Sequence, residues 1–182
     1  MINTKTFFIK KIDHLSIITP GKSVTTKVEL ALSLIKKVDQ IEYKKLRDRL
    51  RIIFITNKNG YTIEFFMPEK IWFTNKSMIR KNDVAWIASL ILHEAFHATQ
   101  FRNGKYALPF GERLEKPALL LQEKFLSKVN KIQRKPLRSK DVKTALKKRY
   151  WEIMDADKKS FSHFRNLLQL FENKSIRIKQ IL

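Results

Sequence analysis

Within Asp83-Val-Ala-Trp-Ile-Ala-Ser-Leu-Ile-Leu-His93-Glu94-Ala-Phe-His97-Ala-Thr-Gln-Phe-Arg102, residues Val84–Phe101 are the most apolar stretch of this 182-residue chain. Asn82 or Asp83 can cap the start of a helix here, and Asn103-Gly104 supplies its stop. Trp86, Leu90, His93, His97 and Gln100 fall on one stripe of that helix, with Ile87, Ile91 and Ala98 beside it. A helix apolar nearly all round belongs in the middle of a domain. It carries Glu94 and is shorter than a bilayer requires, so it reads as a core helix rather than a membrane span.

Two histidines four residues apart project from one helical face, so both imidazoles can reach one metal ion at about 2.0–2.1 Å. Glu94, next to the first of them, can act as general base on water at that metal. The chain holds four histidines in all, so half of them sit in this motif. His14 and His163 read as packing or surface residues. The chain has no cysteine, which excludes disulfides and thiolate metal sites. Any zinc must therefore take nitrogen and oxygen ligands, a donor set more typical of catalytic than of structural centres.

Upstream, residues Ser23–Gln40 place Val28, Leu32, Ile35 and Val38 at helical spacing, with Ser23 as N-cap. Tyr43–Leu50 reads as a basic continuation or a second short helix. Arg51–Thr56 and Tyr61–Met67 are β-branched and aromatic, and they flank Asn57-Lys58-Asn59-Gly60, whose Asn-Gly pair favours a hairpin. Lys70–Thr74 follows as a third strand, and an antiparallel meander is the economical arrangement. Downstream come a loop at Lys105–Gly111 and a helix near Glu112–Asn130, with Pro117 early in it. Further helices are expected at Ser139–Met154 and Ser160–Glu172. Lys174–Leu182 is left unassigned. The fold class is α+β, a small antiparallel sheet followed by the central helix and a helical C-terminal half.

With 43% hydrophobic residues the chain can bury one substantial core. Met1–Lys11 is too short in apolar residues for a signal peptide, and no spanning segment is visible. A cytoplasmic site is expected, with export by a route lacking such a peptide left open. The net charge of +21 favours anionic partners. The densest tract is Lys124–Arg149, where the lysines recur at helical spacing. It reads either as a docking face for a polyanion (nucleic acid, acidic protein or an anionic surface) or as a solvated face.

A catalytic zinc needs a third protein ligand. No histidine follows His97 within the next seven residues, which leaves the downstream carboxylates Glu112, Glu115 and Glu123. Taken together, Trp86 to Gln100, then Glu115-Lys116-Pro117-Ala118 and Gln122, resemble the gluzincin branch of zinc metallopeptidases, in particular small bacterial zincin domains of unassigned substrate. The resemblance covers about residues 83–126, with the preceding strands matching the sheet beside the active-site helix. It implies a single zincin-like metallopeptidase domain over residues 1–182, with His93 and His97 as zinc ligands, Glu94 as general base and Glu115 as third ligand. Pro117 departs from the expected pattern, and Glu112, one turn away, is the alternative ligand.

The implied activity is hydrolysis of an amide bond in a peptide or protein. Tyr106 and His163 are candidate donors to the oxyanion, although nothing fixes the position of either. Two other readings compete. One is a catalytically silent zincin fold that binds a partner through its basic face. The other is a toxin or effector domain using the same zinc chemistry.

Overall fold

In the computed structural model the described residues are 7–57, 64–66, 70–102, 112–133 and 139–148. They form a mixed α+β fold in which one small sheet backs a larger helical layer. Strands β1 (Phe8–Ile12) and β2 (Leu15–Thr19) make an antiparallel hairpin with Ile12 opposite Leu15. Its two-residue turn is opened by Asp13 at φ 50°, a left-handed conformation that aspartate tolerates better than most residues. Helices α1 (Lys22–Val38) and α2 (Gln40–Arg49) then cross over to β3 (Ile52–Thr56), which runs parallel to β2. Parallel neighbours require such a crossover, and here the two helices supply it.

Strands β4 (Glu64–Phe66) and β5 (Ile71–Asn75) complete the sheet in the order β1-β2-β3-β5-β4. The expected meander is therefore corrected. β3 pairs with β5, in parallel, and β4 lies outside β5 as an antiparallel edge. Burial explains the choice. Trp72 of β5 and Ile53 and Ile55 of β3 are wholly buried, which suits strands with neighbours on both sides. The three-residue β4, which carries Glu64, is better suited to an edge. Ser23 is likewise not the cap of α1. Gly21 stands at that position, and no side chain bonds the first turn.

A short helix α3 (Lys76–Lys81) follows, capped by Asn75, whose side chain accepts from the Met78 amide at 2.7 Å. The long helix α4 (Val84–Arg102) then runs through the centre of the molecule. Asp83 caps it, accepting from the Trp86 N–H at 2.7 Å. Ala85, Ile87, Ala88, Ile91, Leu92, Ala95 and Ala98 are all buried in the common core, as an all-round apolar helix requires.

Helix α5 (Glu112–Gln133) packs along α4 through Leu119, Phe125, Leu126 and Val129, and α6 (Ser139–Lys147) packs on α5. The Asn103-Gly104 stop, most of the Asn57–Gly60 turn, the Lys105–Gly111 loop and everything after residue 148 lie outside the described residues. That includes Tyr106, His163, the end of the Ser139–Met154 helix and the helix expected at Ser160–Glu172. No helix among the described residues is long and apolar enough to cross a membrane.

Candidate metal centre

His93 and His97 sit one turn apart on the face of α4 that meets α5. Glu115, in the first turn of α5, reaches back between them. One ligand atom from each lies within 4.8 Å of the others. His93 Nε2 is 3.4 Å from Glu115 Oε2, and His97 Nε2 is 3.5 Å from Glu115 Oε1. Those separations exceed ordinary N–H···O hydrogen bonds. Each ends on a different oxygen of Glu115, and both are close to the separation of about 3.3–3.4 Å between donors at about 2.05 Å from a shared ion. The imidazole rings stand nearly edge to face, with centroids 5.0 Å apart at 83°. Two imidazoles and a carboxylate at this spacing fit zinc.

All three side chains are buried, and so is Glu94 beside His93. Burying an unpaired carboxylate and two imidazoles costs several kcal/mol unless they compensate one another or coordinate a metal. Their protonation shows that compensation. Burial opposes a charge on His93, but the Glu115 carboxylate and the charge of Glu94 outweigh it and raise its pKa. His97 is pushed down to about 4, by burial first and by neighbouring His93 second. Burial works to raise the Glu115 pKa, yet the two imidazoles lower it on balance. His93 is therefore the imidazole whose charged form Glu115 supports more, and a metal cation would compete with a proton there.

Two glutamines bridge the helix pair beside the imidazoles, and one of them bonds a ring nitrogen. Gln100 Oε1 lies 2.7 Å from His97 Nδ1, and its Nε2 donates to the α5 carbonyls of Leu114 at 2.7 Å and Arg113 at 3.3 Å. Gln122 of α5 donates through Nε2 to Ser89 Oγ on α4 at 3.1 Å, and Ser89 in turn donates to Trp86 O at 2.7 Å. Gln122 also lies beside His93 and favours its charged form. It makes no bond of ordinary geometry to His93 Nδ1, which is a buried nitrogen without a hydrogen-bond partner among the described residues.

Of the residues singled out from sequence, His93, His97 and Glu115 are thus brought together, and Glu94 is buried next to His93 along α4. Glu112 does not join them. Its carboxylate bonds Lys116 Nζ at 2.7 Å on the exposed side of α5. Glu123 accepts from Ser127 at 2.9 Å and pairs with Lys143. The roles of Gln100 and Ser89 escaped the sequence reading. The available signal was a polar residue three positions after His97 on an otherwise apolar stripe. The described part of the basic tract lies on α5 and α6 and just after them, where some of it is occupied internally, Lys128 bonding Asp39 and Lys143 reaching Glu123 at 3.6 Å.

Comparison with models of known protein families, with curated proteins and with solved structures finds no match for this chain.

Proposed function

We propose that the protein is a zinc-dependent, zincin-like hydrolase of amide bonds in peptides or proteins. The observation that carries this reading is the buried His93–His97–Glu115 cluster, in which one ligand atom from each residue lies within 4.8 Å of the others. His93 and His97 would hold the ion through Nε2, and Glu115 would complete the protein ligands. Zinc, when bound, supplies a Lewis acid that polarises a carbonyl and lowers the pKa of water towards about 7.

Glu94 stands beside the ligands without being one of the three, which suits a base rather than a fourth ligand. It would take the proton from the attacking water and return it to the leaving amine. β4 is an outer strand of the sheet and lies against α4. An extended peptide pairing with that edge would run alongside the buried cluster.

The decisive experiment compares wild type with Glu94→Gln on a peptide library, with metal content measured in both. Zinc should stay at about one per chain in both proteins, while turnover falls by on the order of 10² or more in the variant. Equal turnover would remove Glu94 as the base. Partner binding that persists after metal removal, with no hydrolysis by either protein, would favour the silent fold.

The basic tract adds capture of polyanionic partners to this reading. Lys143 is well exposed, so reversing charge at Lys143 and Lys147 should weaken binding to heparin or nucleic acid. Turnover of a small neutral peptide should not change.

A further inference from the structure

Pro117 is the sixth residue of α5, inside the helix rather than at its first position. It has no N–H, so the Arg113 carbonyl four residues earlier lacks its usual helical donor. The contact at that carbonyl is part-buried, and a carbonyl without its helical donor takes one from elsewhere. Here the donor comes from the other helix, because Gln100 Nε2 of α4 reaches both Arg113 O and Leu114 O.

That contact settles the orientation of the amide. Two carbonyl oxygens can only face the NH2 end, so the end facing His97 is oxygen, an acceptor. The partner nitrogen at 2.7 Å, His97 Nδ1, must then carry a proton. A neutral imidazole has one proton, which leaves Nε2 with its lone pair directed at the Glu115 side. Reversing the amide would set an NH2 group against Nδ1 and an oxygen against two carbonyl oxygens.

We propose that Gln100 is a positioning residue for His97, and that Pro117 helps to hold it: the Leu114 carbonyl at 2.7 Å and the Arg113 carbonyl that proline strips of its donor, at 3.3 Å, together anchor the glutamine, and the glutamine fixes His97 as the Nδ1–H tautomer before any metal arrives. Glu115 belongs to the same turn of α5 as the two carbonyls, so the link also sets the third ligand relative to the second. The role assigned to zinc rests on the proposed function. The tautomer does not.

The test begins with nitrogen-15 NMR of the metal-free protein, reading the protonated nitrogen of His97. The expected result is protonation at Nδ1 in wild type and a mixture of tautomers in Gln100→Met, which fills similar volume without an acceptor. A wild-type His97 protonated at Nε2 overturns the proposal. Zinc affinity, measured against a competing chelator, should fall about 10- to 100-fold in Gln100→Met, the usual weight of a hydrogen bond behind a metal-bound histidine.

Pro117→Ala separates positioning from simple structure. Alanine restores the helical N–H and is the better helix former, so thermal stability should rise. Zinc affinity should nevertheless drop about two- to fivefold, the weight of one neutral hydrogen bond. The Pro117→Ala effect on affinity should vanish in the Gln100→Met background, and full additivity would overturn the link between the two residues. Should wild type take up no zinc, the metal reading fails while the Nδ1–H tautomer still decides the role of Gln100.

Discussion

Two clusters of titratable side chains differ in how far they reach solvent. One is His93, His97 and Glu115 between α4 and α5, all below a tenth exposed. The other gathers Asp13, His14, Lys36, Tyr43 and Arg47 where the β1–β2 turn meets α1 and α2. The open cavities accompany the second. One of about 510 Å³ is lined by Asp13, His14, Lys36 and Arg47, and one of about 250 Å³ adjoins Lys11, Ser16 and Arg51. Volume and chemistry therefore part company.

At the rim, Tyr43 donates to Asp13 at 2.7 Å and Lys36 pairs with the same carboxylate at 3.4 Å. Ordinary hydrogen bonds and opposite charges account for that arrangement. In the buried cluster two imidazoles stand 3.4 and 3.5 Å from separate oxygens of one carboxylate, and the three residues could together hold a metal ion. The convergence of buried ligand-type side chains, not the size of a cavity, is what singles out the candidate metal centre here.

The sharpest way to break that contrast is to remove a ligand. His97→Ala should cost zinc affinity well beyond the roughly 10- to 100-fold attached to an outer hydrogen bond. Chelator competition followed by elemental analysis would read it. His14→Ala, at the rim, should leave zinc content unchanged. Full zinc occupancy in His97→Ala would dissolve the distinction between the clusters.

The two carboxylates of the first turn of α5 give a second test with a smaller expected effect. Glu115→Gln keeps the shape but loses the charge beside His93 and His97, so zinc should bind at least tenfold more weakly. Glu112→Gln loses only an exposed pair with Lys116, worth at most about 1 kcal/mol. Its zinc affinity should match wild type. A reversed order would transfer the ligand role to Glu112.

How much of this was legible in the sequence follows from the range of each interaction. The cap at Asp83, the apolar girth of α4 and the His93/His97 face are local, and all were readable. So was the existence of β3 and β5. Their pairing was not, because Asn59-Gly60 suggested a hairpin between neighbours. The parallel partnership of Ile53 with Trp72 depends instead on which strand is buried on both sides. The β1–β2 hairpin was missed because β1 is an exposed edge with Lys10 and Lys11 interrupting its apolar residues. Glu115 came into view through its resemblance to a known pattern. The Gln100 bonds to Arg113 and Leu114 cross between helices, and Pro117 looked like a helix-start residue until its place in α5 showed which carbonyl it frees.

The smallest expected effect belongs to the rim, and its pH dependence tells whether that cluster is structural. Asp13 has a pKa below its ordinary 3.8, chiefly because Tyr43 donates to its carboxylate and secondarily because of Lys36. Its contribution to stability is present above pH 3.8 and is lost as pH falls through the lowered folded value. Tyr43 is raised to about 12, by burial first and by Asp13 second. Its contribution is full below its unfolded pKa of about 10 and disappears as pH rises through about 12. The two windows overlap across neutral pH. Tyr43→Phe should therefore lower Tm modestly between about pH 5 and 9, with the gap narrowing once Asp13 is protonated in acid. Melting curves of both proteins from pH 2 to pH 9 would show it. A gap independent of pH would mean that Tyr43 acts through packing alone, and that the charge on Asp13 contributes nothing to holding the β1–β2 turn against α2.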